Sequence, residues 1–515
     1  MLLKNIFKKS FFGYFCILIG LLFVLDGSIP IDSLRSLQVL RSLFGEQKQD
    51  STAPAINKNK PLDETVQPKK FSFTPDEITQ LEKLVSRQRR LEFKQPVRVG
   101  LKDKKELERK IMADYEKETV KKEMPKIKKA LVKFGLIPPE LDINKFIVAL
   151  LTEQIAGFYD PETKELYLIK NQEATENVQL LDFFDEQADI SWTQLAAIHE
   201  LTHALQDQNF NLLTLPIDNA ENDDLALATR AVVEGEANFI MFDYLFKKLG
   251  QDINLWADIS MITQSNPIDK TTLMNEAPLY IREGLLFPYL QGLVFIHKIK
   301  AAEGWEKVNN LYTDLPASTE QVLHPEKYLP GKRDNPTKIT LPDFSSTLAD
   351  RWEFVLKNVM GELNTGILFR QFLPQLQTNR LAEGWDGDQF TVWEHQTDKT
   401  TLLLWFTTWD SLKDAQEFAS GYTKIIKKKY PESVELENSE WLNIKEPASV
   451  RVWATQNNFI FIEKKDADVL IIESVPADLL ANLREKTWAD IKKEEMKNPS
   501  PRKSLEGSQA DESNR

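Results

Sequence analysis

Two histidines and a glutamate form the short motif HELTH at residues 199–203. His199 and His203 are four residues apart, which is about one turn of an α-helix, so both imidazoles project from the same face. Two neutral imidazoles on a rigid helix provide half of a tetrahedral zinc site. Glu200 lies about 100° around that helix, which keeps it off the metal but beside a metal-bound water. The pattern therefore predicts zinc-dependent hydrolysis with Glu200 as the general base.

A catalytic zinc usually has three protein ligands, and the sequence VVEGEANF offers two candidates for the third. Glu234 follows His203 by 31 residues. At helical spacing it shares a face with Arg230 and Asn238, whereas Glu236 points roughly the opposite way. A ligating carboxylate with a polar residue one turn later suits a supported metal site. We therefore predict Glu234 as the third ligand, with Glu236 as the alternative.

The cysteine and histidine content limits which side chains could bind a metal. The only cysteine is Cys16, so the chain forms no intramolecular disulfide and no thiolate zinc site. Any metal is therefore held by histidine and carboxylate, and the chain has five histidines. We interpret His297 as structural because it lies in the apolar stretch LQGLVFIHKI, and His395 as exposed at a strand end.

The elements that would position these residues have recognisable boundaries. The sequence AGFYDPETKELYLI alternates apolar and polar residues on both sides of DPETKE, which predicts a β-hairpin. Ser191 and Gln194 fit a capping box at the start of the HELTH helix. A second helix is predicted from about Asp223 to Leu249, ending at Gly250.

The last quarter of the chain has a different pattern. Five apolar stretches, QFTVWEH, TLLLWFTTW, ASVRVWAT, NFIFIEK and DVLIIES, predict strands. A helix is predicted for Ser411–Tyr430, between the second and third of these strands. We interpret the tryptophans of residues 393–409 as core rather than as a ligand platform. Residues 491–515 are charged and polar, which predicts a disordered tail.

The N-terminus has the pattern of a targeting segment. Lys4, Lys8 and Lys9 precede an uncharged apolar run from Phe11 to Leu25. Positive charges stay on the cytoplasmic side, so the rest of the chain is expected to be exported. Residues 1–30 are predicted to be a signal peptide or a membrane anchor, followed by a polar, proline-containing linker at residues 31–74.

The order of these elements resembles that of the thermolysin-like gluzincin metallopeptidases. A hairpin, an HExxH helix and a helix carrying E-x-x-x-D/N occur in that group, and the likeness covers about residues 155–245. The resemblance implies that Glu234 binds zinc and that Asn238 steadies a ligand, although Asp is commoner than Asn at that position. It also implies that the hairpin strand beside the HELTH helix binds an extended substrate by edge pairing.

A wider likeness covers about residues 90–395. The strings GFYDP, HELTHALQDQ, VEGEA, STEQVLHPEKY and EGWDGDQF resemble a group of uncharacterised exported bacterial proteins classed as metallopeptidases. Gluzincins of the thermolysin type place a downstream His and a Tyr near the oxyanion, which implies that role for His324 and Tyr328. A structural hydrogen bond made by a loop histidine is an equally good interpretation of His324.

Together these features predict an α+β protein with a mainly helical, zincin-like metallopeptidase domain at residues 75–345, containing a small sheet with an edge hairpin. A helical connection at residues 346–380 and a small α+β domain at residues 381–490 follow it.

The expected function is zinc-dependent hydrolysis of peptide bonds in a peptide or protein substrate, on the extracytoplasmic side of a membrane. A non-catalytic binding or assembly module with the same fold is one alternative, and hydrolysis of a non-peptide amide, such as one in the cell wall, is another. The net charge of −13 argues against a nucleic-acid partner.

Overall fold

The computed structural model describes residues 73–115, 118–154, 157–169, 192–219, 221–248, 250, 273–348, 351–374, 378, 380–436 and 449–501. The predicted targeting segment at residues 1–30, almost all of the predicted linker and Ser191 of the predicted capping box lie outside the described residues. Within the described ranges, no helix combines the length and the apolar content that a membrane span requires.

Helices and strands are numbered here in chain order. The helices are α1 Pro75–Arg89, α2 Lys104–Tyr115, α3 Glu118–Phe134, α4 Ile143–Gln154, α5 Trp192–Phe210, α6 Asp223–Lys248, α7 Leu273–Glu276, α8 Leu279–Asn310, α9 Thr319–Leu323, α10 Ser345–Leu348, α11 Gly361–Phe372, α12 Leu412–Lys429 and α13 Ala477–Asp490. The strands are β1 Arg98–Lys102, β2 Gly157–Asp160, β3 Glu165–Ile169, β4 Thr337–Thr340, β5 Trp352–Asn358, β6 Trp385–His395, β7 Thr401–Trp409, β8 Val434–Glu435, β9 Val450–Ala454, β10 Phe459–Lys465, β11 Asp468–Val475 and β12 Lys492–Glu495. The predicted α+β class is confirmed.

Helix α6 is the centre of the helical half and is buried along nearly its whole length. A helix that is apolar on most of its sides is stable only when other elements surround it. Helices α5 and α8 pack against α6, and α8 crosses it where Gly235 and Gly292 bring the two backbones into contact. Helix α8 itself is broken at Gly304, where φ is 76°.

A small three-stranded sheet lies beside α5, with β3 between β1 and β2. Strands β2 and β3 form the predicted hairpin and are antiparallel, whereas β1 runs parallel to β3. The carboxylate of Asp160 accepts the backbone N–H groups of Glu162 and Thr163 and so closes the turn. Because β3 lies between the other two strands, β2 is at an edge of this sheet. It packs against α5.

The large sheet is antiparallel and has the strand order β5-β6-β7-β11-β10-β9-β8. Both of its faces are covered. Along β7, Trp405 faces the main core with the helices of the first half, while Leu404 and Phe406 face a second core with α13. This alternation is the two-residue period of a strand buried on both sides. The tryptophans are thus core residues, as predicted.

Two predicted boundaries are wrong. The helical connection predicted at residues 346–380 contains β5, which pairs with β6 and forms an edge of the large sheet, so that the sheet begins at Trp352 rather than after residue 381. The tail predicted to be disordered over residues 491–515 begins with β12, which pairs with β4. Both strands gain their partners from distant parts of the chain, and local composition does not reveal such pairing.

Candidate metal centre

Helices α5 and α6 bring three side chains of the predicted site together. The Nε2 atoms of His199 and His203 are 3.0 Å apart. The Oε2 atom of Glu234 lies 3.3 Å from each of them. All three side chains are almost completely buried, and their ligand atoms form a cluster that could hold a metal ion.

The spacing of these three atoms fits a tetrahedral metal. With bonds of about 2.0–2.1 Å to zinc, the corners of a tetrahedron lie about 3.3 Å apart. The observed separations of 3.0, 3.3 and 3.3 Å are close to that edge length. Two imidazole nitrogens and one carboxylate oxygen are also ligands that zinc commonly takes in catalytic sites.

A neighbouring amide orients the His203 imidazole. Gln206 donates its Nε2–H to the Val233 carbonyl at 3.0 Å, so its Oε1 atom faces His203 and accepts from Nδ1–H at 2.8 Å. This bond holds a proton on Nδ1 of His203 and turns its Nε2 atom toward the cluster, where the lone pair is available once the ring is neutral. Asn238 lies beside His199 and donates its Nδ2–H to the Tyr289 carbonyl at 3.0 Å. The sequence already placed Gln206 three residues after His203, on the same helical face.

The cluster is strongly coupled electrostatically. Burial raises the pKa of Glu234, but the two histidines outweigh burial and bring that pKa to about 2. Burial lowers the pKa of His203, but Glu234 outweighs it and brings that pKa to about 9. Burial lowers the pKa of His199. The cluster thus favours an ionised Glu234, a protonated His203 and a neutral His199. A divalent cation would take the place of the proton on His203.

Glu200 is held beside the cluster by the hairpin. Its Oε2 atom accepts the backbone N–H of Tyr159 at 2.6 Å. Because that N–H does not point toward β3, the outer edge of β2 faces Glu200. Burial raises the pKa of Glu200 to about 8. A carboxylate whose pKa lies near neutrality is suited to take up a proton and release it again.

Asp207 fixes the hairpin to α5. Its Oδ2 atom accepts from the Tyr159 hydroxyl at 2.9 Å and from Lys164 Nζ at 2.6 Å. Its Oδ1 atom accepts the N–H of Leu212 at 3.0 Å, which holds the chain as it leaves the helix. The string HELTHALQDQ therefore carries the ligands, the amide that orients one of them and the anchor of the neighbouring strand.

Glu236 points away from the cluster. The Nε atom of Arg89 donates to it at 2.5 Å, and the Tyr312 hydroxyl donates at 2.8 Å. Arg89 is fully buried and lies over the Trp305 ring, with 4.5 Å between its Cζ atom and the ring centroid. Glu236 thus balances a buried guanidinium, and Glu234 is the glutamate beside the histidines.

Tyr289 is a site residue that the sequence did not reveal. It lies on α8, and its ring stacks on that of His199 with 6.2 Å between centroids. Burial raises its pKa well above the usual value, and Glu234 and Glu200 raise it further. The phenol is thus neutral and close to both carboxylates. Within the apolar stretch LLFPYLQG it reads as an ordinary core residue, and only the crossing of α8 over α6 brings it to the cluster.

His324 and Tyr328 are held by other partners. His324 Nε2 lies 2.9 Å from Glu362 Oε1. The Tyr328 hydroxyl donates to the Asp314 backbone carbonyl at 2.7 Å, and Tyr328 is only 1% exposed. Neither hydrogen bond connects these residues to the histidine–glutamate cluster. The proposed oxyanion role stays a prediction, and the structure supplies the structural hydrogen bond that was its alternative.

The remaining two histidines also have local contacts. The His297 ring stacks on Phe239 with 6.1 Å between centroids, in agreement with a structural role. His395 Nδ1 lies 2.9 Å from Asp398 Oδ1, and its ring packs edge-on against Trp352. His395 is half-buried rather than exposed, because the unpredicted strand β5 covers it.

Comparison with protein families matches residues 353–484 to a domain of unknown function, DUF8575. The matched residues correspond closely to the large sheet with α11 and α12 and most of α13. Comparisons with curated proteins and with solved structures found no match. The family match therefore concerns the sheet and not the helices that carry the His199–His203–Glu234 cluster.

Proposed function

We propose that this protein is a zinc-dependent metallopeptidase. The observation that carries the proposal is the triangle of His199 Nε2, His203 Nε2 and Glu234 Oε2, with edges of 3.0, 3.3 and 3.3 Å. The neighbouring Glu200, held by the Tyr159 N–H, adds a proton-transfer group to these ligands. A purely structural zinc site has no need of such a group.

Two helices supply the three proposed ligands. His199 and His203 come from one rigid helix, and Glu234 comes from the buried helix beside it. Zinc held by these residues would polarise a substrate carbonyl and lower the pKa of water. Glu200 would accept a proton from the attacking water and deliver it to the leaving amine. Burial raises the pKa of Glu200, which favours uptake of that proton.

The position of β2 favours an extended peptide as substrate. The outer edge of this strand faces Glu200, and a peptide that pairs with such an edge lies with its backbone across the neighbouring site. His199, Glu200 and His203 are fully buried. A substrate therefore reaches them only when the covering side chains move apart, as in enzymes whose sites close during turnover.

Zinc analysis of the full-length chain tests the metal ligands. We expect about one zinc per chain, lost in His199→Ala and in Glu234→Gln. Glu236→Gln is the matched control, since it changes a neighbouring glutamate of the same helix and should keep the metal. Full zinc in Glu234→Gln together with loss in Glu236→Gln would reject the assignment.

Hydrolysis of a peptide library tests the reaction. Glu200→Gln should keep zinc and the thermal unfolding temperature but lose turnover by about a hundredfold or more, because an amide does not accept the proton. A zinc-loaded wild-type chain that cleaves no peptide would instead favour the non-catalytic module. Cleavage of cell-wall amides alone would favour the second alternative. Export of the chain remains a proposal that rests on the N-terminal pattern.

A further inference from the structure

A cavity of about 630 Å³ lies between helix α3 and the large sheet, apart from the metal centre. Its size is within the range of small-molecule sites. Its charged wall residues are Lys128, Lys129, Lys133, Lys399, Lys429 and Glu394. A concentration of lysine is unexpected in a chain whose net charge is −13.

The lysines outnumber the carboxylates that balance them. Lys129 Nζ lies 2.7 Å from Glu394 Oε1, and Lys429 Nζ lies 2.6 Å from the buried Glu473. Lys399 and Lys133 share the same two carboxylates, at 3.8 Å and 3.7 Å. Five lysines against two carboxylates leave an excess of two to three positive charges around the cavity, because Lys133 is only partly protonated near neutral pH. A monoanion would leave most of that excess uncompensated, and a dianion compensates it better.

Lys133 lies at the floor of the cavity and is 8% exposed. Its ammonium donates to Ser474 Oγ at 2.6 Å and to the Tyr430 hydroxyl at 3.1 Å. Burial lowers the pKa of Lys133 to about 7, against the effect of Glu473. An anion in the cavity would favour the charged form and so bind more tightly to a fully protonated Lys133.

Ser474 supplies an observation that is independent of charge. The pairing of β10 with β11 passes from Phe459–Val475 to Ile460–Glu473, so Ser474 is an extra residue in a β-bulge. Its φ of 59° lies in the left-handed region, which costs free energy for a residue with a side chain. Bulges re-aim side chains and occur often beside sites. Here the bulge directs the Ser474 hydroxyl to Lys133.

The remaining wall residues include apolar groups beside the hydroxyls of Thr401 and Ser474. Pro125, Val132 and the Tyr430 ring contribute to the wall, so the cavity offers a surface for the organic part of a ligand. A phosphate monoester carries a charge of about −1.5 to −2 at neutral pH, whereas a carboxylate carries one. We propose that this cavity binds the phosphate monoester group of an organic ligand, which is either a soluble metabolite or a lipid headgroup.

Calorimetric titration of the full-length chain in neutral detergent tests the proposal with glycerol 3-phosphate. We expect binding that weakens with added salt, and no binding of glycerol. Lys128→Gln combined with Lys399→Gln removes two charges at the outer wall and should weaken binding by about tenfold or more. The matched control, Lys121→Gln with Lys424→Gln, changes exposed lysines of the neighbouring helices α3 and α12 and should bind normally.

Adding phosphatidic acid or phosphatidylcholine to the detergent distinguishes the two sources. If phosphatidic acid competes with glycerol 3-phosphate and phosphatidylcholine does not, the ligand is a lipid headgroup. If neither lipid competes, the ligand is a soluble ester. A wild-type chain that binds neither glycerol 3-phosphate nor phosphatidic acid overturns the proposal, as does equal binding by wild type and the outer-wall variant. Thermal unfolding verifies that the variants fold. Zinc content and peptide cleavage should not change in them, so a failure here is separate from a failure of the proposed metallopeptidase.

Discussion

Single hydrogen bonds position the side chains of the candidate metal centre. Gln206 sets the tautomer of His203, and the Tyr159 N–H sets the position of Glu200. Tyr289 is placed where its hydroxyl could stabilise negative charge near Glu234. The two tyrosines, Tyr289 and Tyr328, are thus competing candidates for the same catalytic task, one supported by position and the other by resemblance.

Tyr289→Phe should lower turnover by about tenfold to a hundredfold with zinc content unchanged, because it removes a donor and keeps the ring that stacks on His199. Tyr328→Phe is the matched comparison, since it removes the hydrogen bond to the Asp314 carbonyl. Steady-state kinetics on both variants decides between them. A loss of turnover in Tyr328→Phe alone would support the assignment made from sequence and reject Tyr289.

The hydrogen bond to Glu362 raises the pKa of His324. A histidine whose folded-state pKa is raised adds stability below its unfolded pKa of about 6.5, and this stability is lost as the pH rises through the folded-state pKa. His324→Gln should therefore lower the thermal unfolding temperature more at about pH 6 than at about pH 9. An equal decrease at both pH values, together with a large loss of turnover, would favour the oxyanion role instead.

At the level of elements, the crossing of α6 and α8 positions both Glu234 and Tyr289. A Cβ atom on Gly292 would lie 2.3 Å from the Ala231 carbonyl oxygen, which is too close for a non-bonded carbon and oxygen. Only glycine allows the two helices to approach this closely. The glycine at position 235, between the two glutamates, has the same role on the other helix.

Gly292→Ala should therefore push the helices apart and cost about 1–3 kcal/mol of stability, as overpacked cores do. It should also weaken zinc binding, because Glu234 moves relative to the α5 histidines. Chemical denaturation and zinc titration measure the two effects. Lys298→Ala, at an exposed position on the same helix, is the control and should change neither. Unaltered zinc affinity in Gly292→Ala would show that the crossing does not position the ligand.

At the level of the whole molecule, buried carboxylates join helices to one another and to the large sheet. Asp224 at the start of α6 accepts the N–H of Thr319 at 3.1 Å. Asp388 on β6 accepts the N–H groups of Met360 and Gly361 and the indole N–H groups of two tryptophans. The strings STEQVLHPEKY and EGWDGDQF thus supply residues of these joints.

Asp388→Ala should cost about 3 kcal/mol or more, because it leaves four buried N–H donors without their acceptor. Asp398→Ala, at an exposed turn, is the control and should be nearly neutral. Urea denaturation of the full-length chain measures both. If Asp388→Ala were as stable as wild type, the joint would not contribute to folding.

Local sequence patterns determined many of the helices and strands of this protein and the residues that form its candidate site. The four-residue spacing of His199 and His203 puts their ring nitrogens together because a helix repeats every 3.6 residues. The same kind of reasoning identified the hairpin, the five strands and the helix that begins after the cap Ser411. It also separated Glu234 from Glu236, which lie on different faces of one helix.

Only the tertiary structure decided which distant residues meet. Tyr289 reaches His199 through a helix crossing, and strands β5 and β12 exist because β6 and β4 are there to pair with them. His324 and Tyr328 stand in a motif that suggested catalysis, yet their hydrogen bonds run to Glu362 and Asp314. Periodicity and capping act over a few residues, whereas these contacts depend on how whole elements pack, which no short stretch of sequence encodes.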